Sequence, residues 1–120
     1  MSFRFHNFKV YEDVRPFIKG IFILVAKLPK QYQYDLASQM KRAAISILLN
    51  LAEGSGKNSD KDFNRFIMIS IGSIYEVVAC LDIALDNNLI SNKIYDKFYN
   101  KAEDIRNQLG ALSKKLKTDG

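Results

Sequence analysis

An all-α fold, an antiparallel up-down-up-down four-helix bundle, is what this sequence predicts, and three observations predict it. Four segments space apolar residues in steps of three and four, which lays them along one face of a helix. No segment shows the two-residue alternation of a strand. The connections between the four segments are short, which sets neighbouring helices antiparallel. With 120 residues the chain reads as a single domain over 1–120, long enough to bury a core without disulfides or metals. Residues 1–9 read as a short N-terminal arm.

The first helix is expected over about 11–28. Val14, Phe17, Ile21, Leu24 and Leu28 form its stripe. Pro16 is read as lying near its start, where the missing N–H costs little, and Pro29 stops it. The second is expected over about 35–53, striped by Leu36, Met40, Ala43, Ile47 and Leu51. Gly54 is a natural residue to follow its end. The third, about 60–87, opens on Ser59-Asp60-Lys61-Asp62, which has capping-box spacing with Asp in place of Glu or Gln. Phe63, Ile67, Ser70, Ile74, Val77, Leu81 and Ala84 make its seam, and Asn87-Asn88 ends it. The fourth, about 92–117, follows Ser91 as N-cap. Ile94, Phe98, Ala102, Ile105, Leu109, Leu112 and Leu116 form its seam. A 3.5-residue apolar repeat is the pattern of left-handed bundle packing.

Helix 3 is greasier than a monomer needs. Beside its seam it carries Phe66, Ile69, Ser73, Cys80 and Ile83, and helix 2 adds Ile45, Leu48 and Leu49. A bundle buries one stripe per helix, so the surplus is expected to face other subunits of a homo-oligomer. An irregular bundle that absorbs these residues is the alternative. Charge follows the same division. The net formal charge is +5, yet residues 66–90 hold no Lys or Arg. Basic excess favours anionic partners such as nucleic acid, and a modest excess is equally ordinary for a solvated surface. The single cysteine, Cys80, forms no internal disulfide and suits a reducing, cytoplasmic setting. The longest strictly apolar run, Ile21 to Ala26, is too short to span a bilayer, and no secretory signal is visible, so no membrane partner is expected.

The usual catalytic parts are missing. One histidine, His6, lies in an arm expected to be mobile, which is a poor place for a triad imidazole. A single Cys and a single His exclude a Cys/His zinc site within one chain. Gly54-Ser55-Gly56-Lys57 lacks the spacing of a phosphate loop and follows a helix rather than a strand. No catalytic residue, metal, cofactor or small-molecule substrate is therefore expected.

A polar stripe does run beside the apolar ones. On helix 2, Gln39, Arg42, Ser46, Asn50 and Glu53 share one face, and helix 3 offers Ser73 and Glu76 three residues apart. Buried polar groups are costly unless paired. Arg42 with Glu53 or Glu76, and Asn50 with Ser46 or Ser73, are expected to satisfy one another and fix register. A small enzyme using Glu53 and Glu76 as an acid/base pair is the catalytic reading of the same residues. For contact with nucleic-acid phosphates, the exposed-looking cations are Lys57, Lys61 and Arg65 around the start of helix 3, and Lys93, Lys97, Lys101 and Arg106 on helix 4. Lys114, Lys115 and Lys117 extend the helix 4 set. In the arm, Phe3-Arg4-Phe5-His6-Asn7-Phe8-Lys9 alternates aromatic and basic residues. It could stack single-stranded bases, or its rings could cap the open end of the bundle.

Residues 39–56, Gln39-Met40-Lys41-Arg42-Ala43-Ala44-Ile45-Ser46-Ile47-Leu48-Leu49-Asn50-Leu51-Ala52-Glu53-Gly54-Ser55-Gly56, resemble the signature of the four-helix-bundle proteins encoded in intervening sequences of bacterial 23S ribosomal RNA genes. Phe63, Phe66, Gly72-Ser73 and Glu76 continue the match, and Leu28-Pro29 with Tyr34-Asp35-Leu36 looks like that family's first interhelical loop. Two residues depart from it: Tyr11, where the family often has tryptophan, and Leu48, where proline is common. The resemblance implies a closed bundle assembled into a ring, a homopentamer, with Arg42, Ser46, Asn50, Glu53, Ser73 and Glu76 structural or interfacial. It implies no enzymatic activity. A related accessory protein of diversity-generating retroelements looks similar and binds a reverse transcriptase and nucleic acid. The sequence thus points to a non-enzymatic homo-oligomeric scaffold that engages RNA, DNA or a nucleic-acid enzyme. The alternative is a purely structural protein-interaction module without a nucleic-acid role.

Overall fold

The computed structural model describes residues 3–119, with side-chain surroundings through Lys117. Among the described residues four α-helices carry the fold: α1 (Lys9–Ala26), α2 (Ser38–Ser55), α3 (Asp60–Asp86) and α4 (Asn92–Asp119). Each packs on the next, and α4 closes back on α1, so the four helices form a ring of neighbours in a body of 45 × 23 × 20 Å. Cross-helix bonds show the antiparallel order. Ser70 Oγ donates to the Ile47 carbonyl and Ser73 Oγ to Ser46 Oγ, so α3 rises as α2 falls. Asp82 meets Tyr95 and Tyr75 meets Arg106 in the same opposed sense between α3 and α4.

The seams are the core. On α2 and α3 every expected stripe residue is buried. On α1 the buried set is Val10, Val14, Phe17, Ile21 and Val25, with Leu28 buried just past its end, so Val25 replaces Leu24. A straight helix of 3.6 residues per turn brings the fourth residue after Ile21 back onto the face. The arm is not a free tail. Arg4–Asn7 makes a 3-10 turn, with His6 packed edge-on against the Phe5 and Tyr11 rings and the Phe8 ring stacked on Phe63. This packing fits a cap on the bundle end for Phe5 and Phe8, while Phe3 stays 70% exposed. It also starts α1 at Lys9, with no side-chain cap, which leaves Pro16 inside the helix rather than near its start. Pro16 is exposed, so the Glu12 carbonyl that loses its intrahelical donor faces the solvent side.

Helix ends follow local chemistry. Ser59 Oγ accepts from the Asp62 N–H at 3.1 Å, and Ser91 Oγ from the Ile94 N–H at 3.1 Å. At the end of α3, Asn88 adopts φ 58°. Its N–H bonds the Leu85 carbonyl while the Leu89 N–H bonds the Ala84 carbonyl, the paired closure of a Schellman motif. Between α1 and α2 the chain makes a 3-10 turn (Lys30–Tyr32) and a π-turn (Gln33–Ala37) that runs into α2. Gln33 Nε2 donates at 2.9 Å to both the Val25 and Leu28 carbonyls, tying this turn to the end of α1.

Gly54 was expected just past the end of α2. It lies inside α2, is buried, and has ordinary negative φ. A Cβ there would sit 2.6 Å from the Phe66 Cβ and 3.2 Å from the Phe63 carbonyl oxygen. The glycine is needed for close approach of α2 to α3, not for a left-handed cap. By length and composition α3 is apolar enough to cross a bilayer, which a count of unbroken apolar runs does not reveal. Its seam is buried against the neighbouring helices, and Ser70, Ser73 and Asp82 along it bond to them, the pattern of a bundle's core helix.

Candidate functional site

The polar stripe of α2 meets α3 in a short ladder. Asn50 Nδ2 donates to Ser46 Oγ at 2.9 Å and to the Ser46 carbonyl at 2.9 Å. Ser46 Oγ in turn accepts from Ser73 Oγ at 2.8 Å. Gln39 donates to Glu76 one step further along. These groups lie in the seam between the two most extensively packed helices, where the Ser73–Ser46 and Gln39–Glu76 bonds fix the relative height of α2 and α3 and Asn50 orients Ser46 from within α2.

Arg42 and Glu53 stand apart from it. Arg42 is exposed and forms no ion pair among the described residues. Glu53 pairs instead with Lys57 at 3.7 Å on the surface. The expected Arg42–Glu53 and Arg42–Glu76 pairs are therefore not made. The acid/base reading loses its geometry too. Glu76 is beside Gln39, and Gln39 and Glu53 are fourteen residues apart on α2, roughly 21 Å along the axis. Both carboxylates are exposed on the surface. Among the described residues no cluster of His, Cys, Asp and Glu is arranged to hold a metal.

The candidate nucleic-acid contacts divide into three places. At the end of the bundle where α2 gives way to α3, the Arg65 guanidinium lies 4.7 Å and the Lys57 ammonium 5.1 Å from the Phe66 ring centre. Arg4 lies 5.1 Å from that of Phe63. Lys61 and Lys117 share a cleft there with Asn58, Asn64 and Leu116. Lys101 lines a second depression, between α4 and α1, with Asp13 and Asp104. Lys93 and Lys97 are exposed at four-residue intervals before it. Arg106 faces α3, its Nη1 donating to Tyr75 Oη at 3.4 Å. That bond holds the guanidinium pKa above its ordinary value. Asp13 accepts from Lys9 at 2.6 Å and from Gln108 at 2.8 Å, and these bonds pull its carboxyl below the usual range.

The family model of the 23S rRNA-intervening sequence protein matches residues 6–111. This chain belongs to that family. The fold agrees with a crystal structure from Bacteroides thetaiotaomicron, described as a protein with unknown function from the S23 ribosomal protein family. The two share a TM-score of 0.82 at 23% identity over 88% of this chain and 98% of that one. No curated protein matches the chain.

For a 23S rRNA-intervening sequence protein, the signature segment 39–76 has a plain structural meaning here. It is the α2/α3 interface: the Ser46–Asn50–Ser73 ladder, the Gly54 contact and the buried Phe63 and Phe66 rings. Sequence reasoning missed one cluster in this family member. Tyr75, Tyr99 and Arg106 come together over Ile74, Val78 and Ala102 in a cleft between α3 and α4. Tyr95 stacks on Tyr99 with ring centres 5.8 Å apart. The signal was available, since Tyr95, Tyr99 and Arg106 stand four and seven residues apart, which puts them on one side of α4.

Proposed function

We propose that this chain is a non-enzymatic scaffold that assembles with copies of itself and presents basic surface to RNA, DNA or an enzyme acting on them. The observation that carries the reading is the division of its surface. The outer side of α3, free of Lys and Arg over 66–90, leaves Met68, Ile69, Tyr75 and Ile83 between 44% and 58% exposed. Large apolar side chains exposed together on the outer side of one helix mark a protein-binding face. Cations gather elsewhere, most densely at the bundle end holding Arg4, Lys57, Lys61, Arg65 and Lys117. Subunits joined through α3 would leave that end open to phosphates. The lone, buried Cys80 suits a reducing cytoplasm. Burial and the nearby Glu76 push its thiol pKa up, away from reactivity.

Sedimentation equilibrium of the purified chain, followed by titration with single-stranded and duplex RNA at two salt concentrations, tests the reading. An oligomer whose RNA affinity falls steeply with salt is expected. A monomer that ignores RNA at low salt would end it. One observation favours a second reading, a protein-interaction module without a nucleic-acid role: the seven candidate contacts do not share one surface, and Lys57 and Arg106 are engaged by Glu53 and Tyr75. In that case the double variant Lys97→Glu/Lys101→Glu changes nothing but charge, and weaker RNA binding by it would exclude the module reading.

A further inference from the structure

The most exposed large apolar side chain described is Tyr34, at 90%. A surface tyrosine normally lays its ring along the protein, because the ring carries a large apolar area. Tyr34 instead projects from the π-turn Gln33–Ala37. The turn is no loose loop. Leu36 and Ala37 behind the ring are buried, and Gln33 is bonded twice to the end of α1. The ring is displayed on a fixed support, so little ordering entropy stands against its capture.

The same chain carries an open cleft of ring-binding character. Ile74, Val78 and Ala102 floor it, Tyr75 and Tyr99 wall it, and Glu103 and Arg106 stand at its rim. Its volume is about 100 Å³, well below the roughly 300–1,000 Å³ of small-molecule sites, room for part of one side chain rather than for a whole ligand. A nucleotide is a poor occupant. Glu103 offsets Arg106 at the rim, Asp82 lies close by as the acceptor of the Tyr95 hydroxyl, and no Lys or Arg occurs on α3 from 66 on. A phosphate would meet net negative charge. Tyr34 fits better, because Lys30 lies four residues before it and Asp35 directly after it. The two charges can answer Glu103 and Arg106.

We propose that Tyr34 of one copy seats in the Tyr75–Tyr99 cleft of a second copy, a head-to-tail contact that deepens, and rests on, the self-assembly reading above. A chain cannot fill its own cleft. Tyr34 is on the α1–α2 side of the ring of four helices and the cleft is on the α3–α4 side. Plug and socket on different faces make a heterologous interface, which builds rings or open filaments rather than isologous dimers. One tyrosine covers less area than the roughly 800 Å² per partner of a stable interface. Met68, Ile69 and Ile83 are exposed on the same helix as Tyr75, and this apolar surface of α3 supplies the rest.

Mixing two variants tests the contact. Tyr34→Asp removes the plug and Tyr75→Asp spoils the socket. Both sites are exposed, and circular dichroism verifies that each variant stays helical. In sedimentation equilibrium the unaltered chain should be an oligomer, each variant alone a monomer, and the equimolar mixture a dimer of one copy of each, joined through its single intact contact. If Tyr34→Asp assembles as the unaltered chain does, or the mixture stays monomeric, the plug-and-socket contact is wrong while self-assembly stands. A monomeric unaltered chain would remove both.

Discussion

Gly54 tolerates nothing larger than hydrogen. With a Cβ at 2.6 Å from that of Phe66 and 3.0 Å from the Phe63 ring, Gly54→Ala must push α2 away from α3. Overpacking of this kind costs about 1–3 kcal/mol, and because backbone is among the obstructing atoms the upper end is expected. Gly110 is the control. It lies inside α4, exposed, with nothing within 4 Å of an added Cβ, so Gly110→Ala should stabilise by roughly 0.5–1 kcal/mol. Urea denaturation of the two variants reads both signs. Tyr95 makes a pH prediction. Its hydroxyl donates to Asp82 at 2.6 Å, and that bond, with lesser help from burial, pushes the phenol up to about 12 from 10.0. The raised value belongs to the folded state. The contribution to stability is therefore complete below pH 10 and is lost as pH rises toward about 12. Tyr95→Phe should abolish that difference, seen as a stability gap between the two proteins that is constant at neutral pH and closes in alkali.

At the scale of elements, the clearest local device is the end of α3. Asn88 holds the left-handed conformation at φ 58°, which costs most side chains roughly 1 kcal/mol and glycine nothing. Asn88→Ala should lower stability by about 1 kcal/mol and Asn88→Gly leave it level or slightly higher, by thermal denaturation. Such ends were legible in the sequence because their chemistry is local: Ser59, Ser91 and Asn88 act on backbone within a few residues. The start of α1 was not. It has no side-chain cap, and is organised by the Phe8–Phe63 stack and the Arg4 contact with Phe63, partners more than fifty residues away. The π-turn before α2 escaped notice for a related reason, since Gln33 serves carbonyls of α1 rather than of its own helix. The polar stripe was legible in part. Three- and four-residue spacing groups Gln39, Arg42, Ser46, Asn50 and Glu53 on one side of α2, but at about 100° per residue they fan across a wide arc. Gln39, Ser46 and Asn50 fall on the edge nearer α3 and bond there or support the bond. Arg42 and Glu53 fall farther round, toward solvent.

For the whole molecule, the same limit governs the charges. Spacing along α4 shows that Lys93, Lys97 and Lys101 are aligned, but not that Lys101 borders α1 while Arg106 borders α3. Nor does it show that Lys57, Lys61 and Arg65 are gathered with Arg4 and Lys117 at the opposite end. This separation makes the phosphate-binding surface resolvable by experiment. Each phosphate contact on single-stranded nucleic acid contributes about 0.7 to the slope of log affinity against log salt. If the bundle end is the contact surface, Lys57→Glu/Lys61→Glu/Arg65→Glu should weaken RNA binding more than tenfold and flatten the slope by roughly 2. Lys93→Glu/Lys97→Glu/Lys101→Glu, the same change of charge at a different place, should then leave the slope nearly as it was. Equal losses in the two variants would mean that net charge alone attracts the ligand. The reverse order would move the contact surface to the α1–α4 flank. Fluorescence anisotropy of a labelled single strand, read across a salt series for all three proteins, distinguishes the outcomes. The oligomeric state must be held fixed, because a ring multiplies every end by its copy number and would convert a weak contact into a strong one by avidity.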